Sequence, residues 1–241
     1  VASILSSRGC PFSCKFCSSN ALWGSKTRFR SSSDILNEME YLVDHMSVNF
    51  IKFADDTFTL SRLLTKKFCE EKNSRDDWVK ELPYGCNTHV EAFDEVLAFE
   101  LSRSGCEEVW FGVESGSPRI LAEMNKKITP EQVIKAFTLA KAYGLKTRAY
   151  FLLGTPGETG EDISLTEKLC RIIEPDMVGF TLLAPFPGSG YYDPDLMLSW
   201  DWSNFDEYGN PWIDPMYREA QKRLVATFQD KAVYRQRVKN G

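Results

Sequence analysis

Short apolar runs alternate with amphipathic stretches along most of the chain. Residues 1–6 read as a first strand, followed by a long loop rich in Gly, Ser and Arg. Ile35, Met39, Leu42 and Val43 then recur at helical spacing, which predicts a helix over 34–46 with Ser33 as its N-cap. Residues 50–54 read as a second strand, 62–72 as a helix and 83–89 as a weaker third strand. A helix over 93–104 stops at Gly105, and 108–113 form a fourth strand. Two helices follow, 119–124 and 130–143; the second opens on Thr129 and Pro130 and ends at Gly144. Residues 147–153 read as a fifth strand, 161–173 as a helix ending before Pro175, and 177–183 as a sixth strand.

Six strand-then-helix units predict an α/β fold with a parallel sheet and helices outside it. They are too few for a closed eight-fold barrel, so a partial (β/α)6 TIM-like barrel is expected, with its active site at the C-terminal ends of the strands. The pattern fails over 184–215, a stretch rich in Pro, Gly, Tyr and Trp. It carries too many large aromatics to stay solvated and reads as an ordered loop or lid. Tyr191, Tyr192, Trp200, Trp202 and Trp212 are expected either to stack a planar or apolar substrate or to cap the open barrel edge. A last helix is expected over 217–238. The expected division is a barrel over 1–187 and an aromatic-rich C-terminal cap or lid over 188–241.

Composition is that of a globular domain: 43% hydrophobic, 26% charged and 13% aromatic residues in 241. A net charge of −5 argues against duplex nucleic acid as a partner. The local cluster Lys15, Lys26, Arg28 and Arg30 reads as a solvated loop face. No apolar run approaches the roughly 20 residues of a membrane helix. No signal peptide is visible, and a start at Val1 suggests a cut or processed N-terminus.

Seven cysteines, three of them bunched as Cys10-x3-Cys14-x2-Cys17, point to metal binding in a reducing compartment and not to a disulfide framework. Three thiolates on one tight loop can each take one iron of a [4Fe–4S] cubane. The next cysteine is Cys69, so one iron is left for a small-molecule ligand. Structural zinc is the alternative, but it wants four ligands, and neither His45 nor His89 is spaced to complete a site. Cys69, Cys86, Cys106 and Cys170 are dispersed and read as core residues. His89, at the end of the third strand, is a candidate for substrate contact or proton donation, and Asn87, two residues earlier, would share its face.

The three cysteines, with aromatic Phe16 before the third, resemble the signature of the radical S-adenosylmethionine (SAM) superfamily. The resemblance covers about residues 1–187. It implies that the open iron is chelated by the amino and carboxylate groups of SAM. An electron then enters the sulfonium, and a 5′-deoxyadenosyl radical takes hydrogen from substrate. It also implies SAM contacts at successive strand ends. Asp55, Asp56 and Thr57 stand where the family binds the methionyl amine, by position and not by letters; a helix N-cap pair is the alternative. Glu114 and Ser115 follow strand four, where the family approaches the ribose or methionyl group; a plain turn is the alternative. Arg148 is placed to fork onto the SAM carboxylate, with Leu152 on the same face against adenine; a structural arginine is the alternative. The run Gly154-Thr155-Pro156-Gly157-Glu158 resembles the strand-five motif of the family, and Pro185-Phe186-Pro187-Gly188 a loop of the same subgroup.

Together these runs look most like the cobalamin-dependent class, many members of which methylate unreactive carbon or phosphorus. Such enzymes carry a B12-binding domain before the radical SAM domain. None lies within these residues, so cobalamin is expected only from a missing domain or a partner. The alternatives are a methylthiotransferase-like enzyme, which needs a second cluster, and a non-catalytic iron–sulfur or SAM-binding subunit. The resemblance further implies a small-molecule or peptide substrate, a flavodoxin- or ferredoxin-like electron donor, and a cytoplasmic setting.

Overall fold

A computed structural model describes residues 1–197 and 213–228. The chain opens with β1 (Ala2–Ile4), then a two-stranded antiparallel ribbon, β2 (Ser7–Arg8) and β3 (Arg28–Phe29), with the short helix α1 (Ser19–Trp23) between its strands. Strand–helix alternation follows: α2 (Ser32–Met46), β4 (Ile51–Phe53), α3 (Arg62–Asn73), β5 (Tyr84–Thr88) and α4 (Glu95–Arg103). Next come β6 (Cys106–Glu114), α5 (Pro118–Glu123), α6 (Pro130–Ala142), β7 (Lys146–Leu153), α7 (Gly160–Ile173) and β8 (Met177–Leu182). The described C-terminal part adds α8 (Pro194–Met197) and α9 (Pro215–Phe228).

The main sheet has six strands in the order β1-β4-β5-β6-β7-β8, each new strand added beside the last. This is the partial (β/α)6 arrangement that the strand–helix rhythm predicts. Helical crossovers enforce it, because parallel neighbours cannot be joined by a hairpin. The helix expected from residue 34 starts earlier. Ser31, extended at φ −72° and ψ 152°, caps it by accepting the Asp34 N–H at 3.2 Å, so Ser33 falls inside the first turn. The ribbon and α1 were not expected; two-residue strands carry no periodicity.

Two compact units share these elements. The first comprises Val1–Pro11, Trp23–Gly112 and Lys135–Thr147. Its core is aromatic: Phe53, Phe58, Phe68 and Tyr84 meet mostly edge-on, with Phe53 and Tyr84 centroids 5.4 Å apart. Cys69, Cys86 and Cys106 are buried here, as expected of core residues, but they are gathered and not dispersed. Tyr84 Oη lies 2.6 Å from Ser104 Oγ and 3.8 Å from Cys69 Sγ, and Cys86 hydrogen-bonds Cys106.

The second unit comprises Phe12–Leu22, Val113–Ile134 and the described residues from Arg148 onward. Phe151 stacks on Phe180 at 5.1 Å, and α9 docks on β8 through Phe228 and through Gln221 Nε2, which donates to Phe180 O at 2.8 Å. Tyr191 donates to Glu123 O, and Gly190 N donates to Lys15 O. Trp200, Trp202 and Trp212 of the expected lid, and residues 229–238 of the expected last helix, lie outside the described residues. Among the described residues no helix is long and apolar enough to cross a membrane.

Candidate functional site

The cysteine loop leaves β2 through Gly9. Its φ of +101° is open to glycine, and a Cβ there would lie 2.7 Å from Lys26 O. Thr27 Oγ1 donates to Gly9 O at 3.1 Å, closing the base of the loop just before Cys10. Further on, Cys17 N donates to Cys14 O at 3.1 Å, so these two cysteines flank a single turn. Ser19 N reaches Cys17 Sγ at 3.4 Å, a backbone donor already aimed at sulfur. The 13–16 segment is gripped by the end of α5. Lys15 N donates to Met124 O at 2.9 Å, Lys15 Nζ pairs with Glu123, and Asn125 Nδ2 donates to both Ser13 oxygens at 2.8 Å.

None of the seven cysteines is in a disulfide. Cys10, Cys14 and Cys17 are half-buried, and the other four are buried. Burial pushes the Cys69 thiol up to about 11. The hydrogen bond with Cys106, and then burial, raise Cys86 well above the ordinary range. Burial and the raised thiols set Cys69 and Cys86 apart from the accessible Cys10, Cys14 and Cys17.

Asp55 is fully buried at the end of β4. Its carboxylate accepts Ser6 N at 3.0 Å, Ser6 Oγ at 2.7 Å and Ser7 Oγ at 2.5 Å, while its backbone oxygen accepts Asn87 Nδ2. It pins the chain between β1 and β2, two residues before the loop. Asp56 is exposed, and Thr57 is buried with its hydroxyl on Asp56 O at 2.8 Å. Of the acidic pair, Asp55 is buried and Asp56 is exposed. His89 caps a short turn by accepting Glu91 N at 3.3 Å. The expected basic face is divided: Lys15 pairs with Glu123, and Arg30 with Asp34 and Glu38.

Glu114 ends β6 in a left-handed conformation, φ +66°, at the centre of a three-residue turn closed by Ser115 N on Val113 O at 2.9 Å. Among the described residues four non-glycine residues have positive φ. Ser47 and Glu174 are C-caps of α2 and α7, where that conformation is ordinary. The others are Glu114 and Asn125 (φ +54°), and they belong to one constellation. Asn125 turns the chain so that Lys126 Nζ reaches Glu114 Oε1 at 3.2 Å, with both side chains buried. The same ammonium lies 5.9 Å from the centroid of Phe16, between the second and third cysteines. Strained backbone held by packing concentrates at functional sites. Here it pairs a carboxylate with an ammonium that reaches the motif aromatic. Lys126 was missed from sequence.

Ser115 is fully buried and ties the strand end to α7. Its hydroxyl lies 3.2 Å from Thr166 Oγ1 and accepts Ser117 N at 3.1 Å. In β7, Thr147, Ala149, Phe151 and Leu153 are fully buried. Arg148 and Tyr150 alternate with them and are half-buried, and Leu152 shares their face but is nearly covered. Arg148 Nη2 lies 2.9 Å from Met177 Sδ. After β7, Glu158 accepts the N–H groups of Gly154 at 2.6 Å and Thr155 at 3.3 Å, bending the 154–158 segment back on itself. Burial pushes its carboxyl up to about 7 despite those donors. The C-terminal part covers this turn: Tyr217 Oη donates to Glu158 O at 2.6 Å, and a Cβ on Gly154 would collide with Ile213 at 2.2 Å.

The family model of the radical SAM superfamily matches residues 4–170. The chain belongs to the radical SAM superfamily. It is 33% identical over 219 residues to an uncharacterized methyltransferase of Pyrococcus horikoshii, covering 89% of this chain and 46% of that protein. It is 35% identical over 187 residues to the anaerobic magnesium-protoporphyrin IX monomethyl ester cyclase of Rubrivivax gelatinosus, covering 77% and 33%. Among solved structures it resembles the radical SAM methyltransferase TsrM of Kitasatospora setae, with cobalamin and a [4Fe–4S] cluster bound. The TM-score is 0.74 at 25% identity, over 79% of this chain and 38% of that one. The chain thus spans less than half the length of each of these proteins.

The radical SAM superfamily implies a [4Fe–4S] cluster and SAM. The donor set suits a cluster: three half-buried thiols on one loop, one of them already facing a backbone N–H. Among the described residues no three His, Cys, Asp or Glu side chains converge in metal-ligating geometry. The three cysteines qualify by spacing, accessibility and the anchoring of their loop. For SAM, the buried Lys126–Glu114 pair offers opposite charges to a zwitterionic methionyl end, and a carboxylate can also accept from ribose hydroxyls.

Proposed function

We propose that this chain is the radical SAM domain of a methyltransferase-type enzyme. The observation that carries the reading is the cysteine loop clamped by the 123–126 segment, which also delivers Lys126 to Glu114 beside Phe16. Cys10, Cys14 and Cys17 would hold the cluster, leaving one iron for SAM. Bound there, cluster and SAM supply one-electron cleavage of a sulfonium. The protein's part is positioning. Lys126 neutralises and orients the methionyl carboxylate, and Glu114 accepts from the amine or the ribose. Phe16 packs under the Lys126 ammonium, and Asp55 fixes the strand end from which the loop departs. Asp56, Thr57, Ser115, Arg148 and Leu152 line or support successive strand ends, with Arg148 and Leu152 sharing one face of β7.

The relatives' names favour methyl transfer, and the TsrM likeness favours cobalamin supplied from outside these residues. Cys69, Cys86, Cys106 and Cys170 are buried, so the second cluster that a methylthiotransferase needs would, like cobalamin, have to be held outside these residues. The substrate is read as a small molecule or peptide, and the reductant as a flavodoxin- or ferredoxin-like protein in a reducing cytoplasm. Residues 1–187 are read as the catalytic barrel and 188–241 as its cap.

The test is anaerobic reconstitution with iron and sulfide, addition of cobalamin, SAM and a strong reductant, and mass spectrometry for 5′-deoxyadenosine and for the S-adenosylhomocysteine left when the methyl passes to reduced cobalamin. Either product from the wild type, with none from Cys14→Ala, supports the reading. A bound cluster with no SAM cleavage when cobalamin is present contradicts it.

A further inference from the structure

We propose that the cavity along the outer edge of β1 binds a phosphate monoester, with Arg8 and Arg28 as the phosphate-binding residues. This cavity, about 840 Å³, lies wholly within the first unit; Ser3, Leu5, Ser7 and Phe29 contribute to its wall along with the two arginines. That volume is in the range of small-molecule sites, roughly 300–1,000 Å³.

Charge decides what it takes. Three arginines and two carboxylates line it, and one arginine consumes both acids. Arg30 Nε meets Asp34 Oδ2 at 2.6 Å, Arg30 Nη1 meets Glu38 Oε2 at 2.5 Å, and the same nitrogen donates to Leu5 O at 2.8 Å. Among the described residues neither Arg8 nor Arg28 has a carboxylate partner. They are nonetheless directly opposite each other in the β2–β3 ribbon. Like charges facing across a strand pair destabilise it. A bound dianion would turn that repulsion into attraction.

One residue places both groups. The Arg8 guanidinium stacks 5.5 Å from the ring centroid of Trp23, and Arg28 Nη2 donates to Trp23 O at 3.3 Å. Two oriented guanidinium forks match the doubly charged phosphate of a monoester better than a single carboxylate. The cavity is far larger than a phosphate ion, and Phe29 offers 39% of its surface beside Arg28. An apolar or planar organic part is therefore expected on the phosphate.

The binding test needs neither a cluster nor SAM, so it can fail or succeed apart from the redox chemistry proposed above. Phenyl phosphate and inorganic phosphate are titrated into the whole protein by calorimetry at fixed ionic strength. Phenyl phosphate is expected to bind more tightly than inorganic phosphate. Arg8→Gln and Arg28→Gln should each weaken it by about 10-fold or more, the range of one charge-assisted hydrogen bond. Phe29→Ala should reduce phenyl phosphate to the level of inorganic phosphate. Arg103→Gln, an exposed change on α4, should bind as the wild type does. Thermal melts establish that the variants fold. Binding unchanged in both Arg8→Gln and Arg28→Gln, or absent from the wild type, overturns the site. Equal affinity for the two phosphates overturns the monoester assignment.

Discussion

Lys126 and Glu114 form a buried ion pair, and such pairs matter most when one partner is removed. Lys126→Met leaves the Glu114 charge buried and unpaired, a loss of about 3–5 kcal/mol in stability. Adding Glu114→Gln should restore much of it, because both charges are then gone. Denaturant melts of the single and double variants check this. SAM affinity should fall in both, since the double variant recovers the fold but not the charges offered to the ligand.

Glu158 carries a pH dependence. Burial raises its carboxyl from an ordinary 4.5 to about 7. Over that window the folded protein keeps a proton that the unfolded chain has lost. Its contribution to stability therefore falls as pH rises through the window and levels off above about 7. Glu158→Gln should flatten that part of the urea midpoint–pH curve; an unchanged slope would place the titration elsewhere. Near neutral pH the loss of this proton also touches the turn over which Tyr217 closes.

At the level of elements, the main strands and helices were legible because their burial alternates with the period of each structure. In β7, Ala149, Phe151 and Leu153 are covered, while Arg148 and Tyr150 are not. What repeats nothing was not legible. The ribbon β2–β3 has two residues a side, yet it sets the exit of the cysteine loop. Gly9 lies at that exit. Gly9→Ala forces a side chain against Lys26 O in a conformation that favours glycine. The expected result is a lower melting temperature and less iron bound on reconstitution, read by calorimetry and iron analysis. Glu114 was legible from its place after a strand. Lys126 was not, because it arrives twelve residues later through the left-handed turn at Asn125. Asp55 was legible as a strand-end acid, but its hydroxyl and N–H donors from Ser6 and Ser7 are long-range contacts that no local pattern announces.

For the molecule as a whole, the family match and the clamped loop agree on one chemistry. The chain covers 46% of its Pyrococcus horikoshii relative and 38% of the TsrM chain. The central claim is local: Cys10, Cys14 and Cys17 hold a cluster with one iron open to SAM. Mössbauer spectroscopy of protein reconstituted with ⁵⁷Fe, with and without SAM, tests it most directly. A [4Fe–4S] spectrum in which a single iron shifts on adding SAM is the predicted result. A cluster whose irons are all indifferent to SAM, or a protein that binds no cluster while its cysteines are reduced, would contradict the account.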